Sequence, residues 1–119
     1  MKRVFLAEDD PTMIRLLETL LKIEGFEVVS IDLSNNDLLS SLRADIPQAL
    51  VLDVNLPNQS GMEVIKAMRR EEIFKNTRVV MASGMSLKEE CLASGADDFL
   101  LKPYMPDDLI NILQRYTQE

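Results

Sequence analysis

The residues in this chain best suited to chemistry are acids, one hydroxyl and one lysine, and each follows a short apolar run. Glu8-Asp9-Asp10 follow Val4-Phe5-Leu6-Ala7, Asp53 follows Ala49-Leu50-Val51-Leu52, Ser83-Gly84 follow Val79-Val80-Met81-Ala82, and Lys102-Pro103 follow Phe99-Leu100-Leu101. If those runs are strands of one sheet, these residues converge on one rim. Two carboxylates about 4 Å apart repel by about 4 kcal/mol at an effective dielectric near 20. A cluster of Glu8, Asp9 and Asp53 therefore calls for a cation or a raised pKa. Mg²⁺ suits it, being a hard ion that takes oxygen ligands in an octahedron and is commonly held by one or two carboxylates beside a phosphate. A phosphoryl group can then be gripped by the metal on one side and by Lys102 and Ser83 on the other.

Composition removes most other chemistries. The chain has no histidine, which excludes a Ser-His-Asp or Cys-His triad, an imidazole zinc site and a phosphohistidine carrier. One cysteine, Cys91, excludes a disulfide within the chain and CxxC redox chemistry. Thirteen Lys and Arg face 20 Asp and Glu, for a formal net charge of −7, whereas phosphate-backbone contacts need a basic face; no direct nucleic-acid binding is expected. The doubly wound nucleotide site needs a Gly-rich first turn, and Glu8-Asp9-Asp10-Pro11 stands there instead. No apolar run approaches the roughly 18 residues of a membrane span, and no apolar leader core follows Met1-Lys2-Arg3-Val4. No membrane association and a cytoplasmic address are expected.

The elements that must position these residues alternate regularly over 119 residues, a length that suits one domain spanning 1–119. After the first strand, Asp10-Pro11 forms an N-cap and first-helical-position pair, and Met13, Leu16, Leu17, Leu20 and Leu21 make one apolar helical face that closes at Gly25. Phe26 to Ile31 reads as a half-buried edge strand, and Ser34 to Ala44 as a weaker helix around Leu38, Leu39 and Leu42. The all-apolar run before Asp53 suits a central strand covered on both faces. Leu56 to Gly61 is a loop, and Met62, Ile65 and Met68 mark the third helix. A short helix over Ser86 to Ser94, carrying Leu87 and Cys91, ends at Gly95; Pro106 and Asp107 open the last, lined by Leu109, Ile112, Leu113 and Tyr116. Alternating strands and helices imply right-handed crossovers and a parallel sheet with helices on both faces, whose ligand site lies beyond the carboxyl ends of the strands.

With these residues in place, the sequence resembles the receiver domain of two-component response regulators over its whole length. The resemblance rests on the acidic pair Glu8-Asp9, on Asp53-x-x-x-Pro57 with Gly61 beyond, on Ser83 and on Lys102-Pro103, each on its expected element. It implies a CheY-like, flavodoxin-like doubly wound α/β fold, a (βα)5 three-layer sandwich with strand order 2-1-3-4-5. It also implies that Asp53 is the phosphoacceptor, attacking the phosphorus of a phosphohistidine on a sensor histidine kinase or phosphotransfer protein. Asp9 would bind Mg²⁺ directly, Glu8 would hold it through water or orient its neighbour, and the backbone carbonyl of Asn55 would complete the protein's share. Lys102 and Ser83 would bind the phosphoryl group, and Phe99 would change rotamer on activation. A downstream protein target or effector domain, and a phosphorylation-dependent dimer, are the implied further partners. The interval from Ser83 to Lys102 is shorter than the family's common spacing by roughly one helical turn, which bears on the family's usual docking surface, and Phe99 replaces the commoner tyrosine.

Two other functions fit parts of the pattern. An aspartyl-phosphate phosphohydrolase would also use Asp53 as nucleophile, but the chain is short for a substrate-covering cap and has no His base. A phosphorylation-independent adaptor would keep the fold without the switch. Several residues carry plain structural readings: Asp10 as a helix cap, Cys91 as a small buried apolar residue near Leu87, Lys102 as an ion-pair partner for the acids, and Lys66, Arg69, Arg70, Glu71 and Glu72 as a solvated helix face.

Overall fold

Short apolar runs separated by capped helices produce a parallel sheet in the computed structural model, which describes residues 2–34 and 37–118. The strands are β1 (Lys2–Ala7), β2 (Phe26–Ser30), β3 (Ala49–Asp53), β4 (Arg78–Ser83) and β5 (Asp98–Leu101). They pair in parallel in the order β2-β1-β3-β4-β5. The helices are α1 (Pro11–Ile23), α2 (Leu38–Ala44), α3 (Gly61–Arg69), α4 (Lys88–Ala93) and α5 (Pro106–Tyr116), and a 3-10 turn, Glu72–Phe74, precedes β4.

The two-residue period of the strands sorts their side chains into two cores. Phe5, Leu50, Leu52, Val79 and Met81 face Leu38, Leu42, Ile65, Met68 and Cys91 of α2, α3 and α4. Val4, Leu6, Val51 and Val80 face Leu17, Leu21, Leu109 and Leu113 of α1 and α5. Three layers result, with β3 buried along all of its length, Asp53 included. Each fully buried Leu, Ile or Met contributes about 1.5–3 kcal/mol relative to exposure, so burial on both faces holds β3, and the acid that ends it, in place.

Local chemistry sets the helix ends. Asp10 accepts a hydrogen bond from the Thr12 N–H with Pro11 in the first turn, which bears out the cap reading. Ser60 caps α3 in the same way through the Glu63 N–H. Helix α2 is shorter than expected: it starts at Leu38, capped by Asp37 through the Ser40 N–H, while Ser34 lies in a bend donating to Asp32. The expected positions Asn35 and Asn36 lie outside the described residues. Leu16 departs from the buried face of α1 and is exposed, whereas Leu17 and Leu21 are fully buried. Helix α4 is shorter than the expected Ser86 to Ser94: it has six residues, Lys88–Ala93, with Leu87 and Ser94 as the flanking cap residues and Ser86 outside it.

The reading of 66–72 as a solvated helix face is corrected at one end. Lys66, Arg70 and Glu72 are exposed, but Arg69 is half-buried and its guanidinium donates to the carbonyls of Gly95, Phe74 and Thr77. Glu71 lies past the helix and pairs with Arg43. A guanidinium presents five donors in a fixed fork, and here the 3-10 turn and the loop after α4 supply the acceptors.

Candidate functional site

Parallel register carries the acids, the hydroxyl and the lysine to one edge of the sheet. Ala7 pairs with Leu52, Asp53 with Ala82 and Ser83 with Leu101, so the residues that end or follow β1, β3, β4 and β5 stand side by side. The structure thus brings together Glu8, Asp9, Asp53, Ser83 and Lys102. Asp10 turns away into its capping role.

Lys102 is the centre of the cluster. Its Nζ donates to Asp53 Oδ2 at 2.7 Å and to Glu8 Oε1 at 2.9 Å. Glu8 is 5% exposed, and its other oxygen, Oε2, accepts from the N–H groups of Asp9 and Asp10 at 3.0 and 3.1 Å. Both Glu8 oxygens are therefore occupied. Asp53 is 6% exposed, and its Oδ1 accepts only a long 3.4 Å bond from the Asn55 N–H. Asp9 is exposed, and its carboxylate has no partner among the described residues. One oxygen each from Glu8, Asp9 and Asp53 lies within 4.8 Å of the others, a donor set of hard oxygens that fits a small divalent cation.

The electrostatics follow from burial and from unequal sharing. Burial pushes the Asp53 carboxyl above its ordinary value of 3.8; Lys102 pulls it back through a hydrogen bond and its charge, and the charge of Glu8 pushes it up again. Burial works to lower the Lys102 ammonium, but its hydrogen bonds to Asp53 and Glu8 outweigh this and hold it well above 10.5. The two directions are compatible because one ammonium faces two carboxylates. Lys102 receives both attractions, while Asp53 shares that cation with a second acid.

Ser83 is fully buried, and its Oγ accepts from the Met85 N–H at 3.1 Å. The hydroxyl donates no hydrogen bond among the described residues, so its proton is available to an incoming oxygen. Its carbonyl accepts from the Lys102 N–H at 2.8 Å, tying the loops after β4 and β5 together. Phe99 is half-buried on β5 beside Met81 and packs on the same core as Leu87. Asn55 is exposed in the turn after β3, bridged to Ser60. Gly61 closes that turn: a Cβ there would lie 2.1 Å from the Asp53 carbonyl oxygen, so a side chain would displace the backbone of the acid itself. A cavity of about 380 Å³ opens beside the acids between Ile14, Ile31, Leu33 and Pro57.

Tyr104 was not visible as a site residue from sequence. It is half-buried two positions after Lys102, past a cis Lys102-Pro103 bond, and packs on the core beneath α5. Burial first, and then the charges of Glu8 and Asp53 against that of Lys102, push its phenol up to about 12. The only local signal was an aromatic residue close to the lysine.

Comparison with known proteins matches the arrangement as a whole. A family model described as the response regulator receiver domain matches residues 4–114. The chain is 38% identical over 113 residues to the cell cycle transcriptional regulator CtrA of Caulobacter vibrioides, covering 91% of this chain and 47% of that protein. It therefore spans about half the length of the curated relatives it matches. Among solved structures, a putative response regulator from Chloroflexus aurantiacus superposes with a TM-score of 0.87 at 28% identity, covering 97% of this chain and 96% of that one. A chemotaxis response regulator of Vibrio cholerae does so with a TM-score of 0.86 at 28% identity, covering 98% of each chain.

Proposed function

Because the chain belongs to the response regulator receiver domain family, we propose that its residues 1–119 act as one receiver domain that accepts a phosphoryl group on Asp53. The donor is a phosphohistidine on a sensor histidine kinase or phosphotransfer protein, since the chain has no histidine of its own. An Asp53 carboxylate oxygen attacks phosphorus, the P–N bond breaks, and the partner's imidazole, already protonated on its other ring nitrogen, leaves as the neutral ring with the electron pair of that bond. The observation that carries this reading is Lys102 Nζ poised between Asp53 and Glu8, with the exposed Asp9 carboxylate beside them.

The donor set fits Mg²⁺, with Asp9 and Asp53 as direct ligands, the Asn55 carbonyl beside them, and Glu8 acting through water because both of its oxygens are engaged. When bound, Mg²⁺ supplies positive charge to the phosphoryl oxygens during transfer. Lys102 then exchanges the Asp53 carboxylate for a phosphoryl oxygen, and Ser83 donates its unused proton to another. Phe99 repacks as the loop after β4 is drawn in. The phosphorylated form passes its signal by contact with an effector domain, a downstream protein or a second copy of the chain. The domain hydrolyses its own phosphoryl group and turns over no external substrate. No described helix is long and apolar enough to cross a membrane, and a cytoplasmic setting accords with this role.

Incubation with Mg²⁺ and a small phosphodonor tests the reading. The parent is expected to gain the mass of one phosphoryl group, and Asp53→Asn none. Absence of any gain in the parent, together with no Mg²⁺-dependent spectral change on adding beryllofluoride, would leave the phosphorylation-independent adaptor. Multiple turnover of a phosphomonoester would favour the hydrolase.

A further inference from the structure

The geometry points to a fixed pivot at the far end of α4, held by Arg69, about which the switch of this receiver turns; the inference rests on the phosphoacceptor role of Asp53. The two ends of α4 are held very differently. At the end near Ser83, the cap residue Leu87 makes no side-chain capping bond, and Gly84, Met85 and Ser86 are exposed. That end is held by the bond from the Met85 N–H to Ser83 Oγ, a Leu87-to-Met85 backbone bond at 2.8 Å and the half-buried Leu87 side chain against the core, with no charged group among the described residues tying it down.

The opposite end is clamped. Arg69 Nε donates to the Gly95 carbonyl at 2.9 Å, while its other nitrogens reach the carbonyls of Phe74 and Thr77 and the Asp97 carboxylate. Asp97 accepts from the Val79 N–H at 2.8 Å, pairs with Arg78 and returns its own N–H to the Val79 carbonyl. Tyr116 of α5 donates to the Asp97 carbonyl. Gly95 adopts φ +116°, and a Cβ there would lie 2.4 Å from Arg69 Cγ, so the guanidinium stem fills the space that the glycine leaves. Cys91 anchors the middle of the helix at zero exposure.

A six-residue helix fixed at one end and lightly held at the other swings about the fixed end. Arg69 is thus a positioning residue, distant from Asp53 along the sheet. It keeps the start of β5 in place, so that Phe99, two residues beyond Asp97, responds by turning its side chain and not by moving its strand. With Arg69 removed, displacement of the β4–α4 loop would spread into 94–98.

Amide hydrogen exchange, read with and without Mg²⁺ and beryllofluoride, tests this. In the parent, activation is expected to change exchange at 84–88 and leave 94–98 unchanged. In Arg69→Ala, the amides of Gly95, Ala96 and Asp97 should exchange at least about ten-fold faster before activation, and activation should now alter 94–98 as well. Beryllofluoride affinity should stay within about two-fold, because distant sites act nearly independently. Asp97→Asn removes the charge facing Arg69 and Arg78 while keeping an acceptor for the Val79 N–H, and it should show the same spread more weakly if Arg69→Ala fails to fold. A parent response that already includes 94–98, or variants whose response stays confined to 84–88, would overturn the pivot alone. No response anywhere in the parent would overturn the phosphoacceptor reading, and the pivot with it.

Discussion

Replacing Lys102 with methionine nearly keeps its length and removes its charge together with its hydrogen-bond donors, which makes it a direct probe of the acidic site. The ammonium makes two charge-assisted bonds, at 2.7 and 2.9 Å, to carboxylates whose side chains are 7% and 6% exposed. Removing one partner of a buried ion pair costs about 3–5 kcal/mol. Lys102 is itself 27% exposed, so solvent screening places the expected loss at the lower end, about 3 kcal/mol, in metal-free protein near pH 7. The loss depends on pH in a definite direction. Asp53 already stands above its ordinary 3.8, so its protonated form favours the fold; that contribution is complete below 3.8 and fades as pH rises through the raised value. Without Lys102 the raised value climbs further, and the variant should recover stability as pH falls through that raised value towards 3.8, by up to about 1.4 kcal/mol per pH unit. Mg²⁺ should act in the opposite sense to the mutation. A unit charge and a dication about 5 Å apart repel by about 7 kcal/mol at an effective dielectric near 20. Even a fifth of that, about 1.4 kcal/mol, gives ten-fold tighter Mg²⁺ binding in the variant. Urea unfolding across pH, with and without Mg²⁺, and calorimetric Mg²⁺ titration read these effects. A destabilisation that ignores pH, or Mg²⁺ affinity that stays the same or weakens, would refute the reasoning.

Gly61→Ala should cost about 1–3 kcal/mol in denaturant unfolding and slow phosphorylation, because its Cβ collides with the backbone of Asp53 at 2.1 Å. Asp10→Ala should lose about 1 kcal/mol of stability by removing the cap of α1 while leaving Mg²⁺ affinity unchanged in titration. Ser83→Ala should leave phosphoryl incorporation nearly intact but shrink the activation-induced chemical-shift changes. One charge-assisted bond is worth about 1.5–3 kcal/mol, against the about 5.5 needed to invert a 1:99 equilibrium, so some response should persist through Lys102 and Phe99. Cys91, fully buried and with its thiol pushed above 9.0 by burial and by Glu90, should label with a thiol reagent only as fast as the fold opens. Rapid labelling in native buffer would contradict that placement.

Local signals accounted for what local forces build. Asp10-Pro11 and the 3.6-residue apolar spacing placed α1, and the unbroken apolar run before Asp53 placed β3 between two helical layers. The rim then followed from parallel register, since every strand of such a sheet presents its carboxyl end to the same side. The parts that escaped notice depend on long-range acceptors. Arg69 looked like a surface charge because the carbonyls that bind it come from 74, 77 and 95. The start of α2 differs for a local reason: the apolar spacing around Leu38, Leu39 and Leu42 does not mark the first turn, and it is Asp37 that meets the Ser40 N–H, so the helix begins at Leu38. The pairing of Lys102 with the acids was legible from their places at the strand ends, whereas the second Glu8 oxygen is taken by the N–H groups of Asp9 and Asp10, which only the turn of the backbone after β1 decides.

The lightly held β4–α4 loop also bears on timing. Surface loops tied by few bonds and burying little apolar area rearrange within nanoseconds to microseconds, and larger collective shifts take up to milliseconds. Met85, 63% exposed and tied to Ser83 through its N–H, belongs to this fast class. Under the proposed phosphoacceptor role of Asp53, a chain built this way keeps no memory of its own: its shape at any moment mirrors whether that carboxylate is modified. The duration of the signal is then written entirely in the chemistry of making and hydrolysing one acyl phosphate.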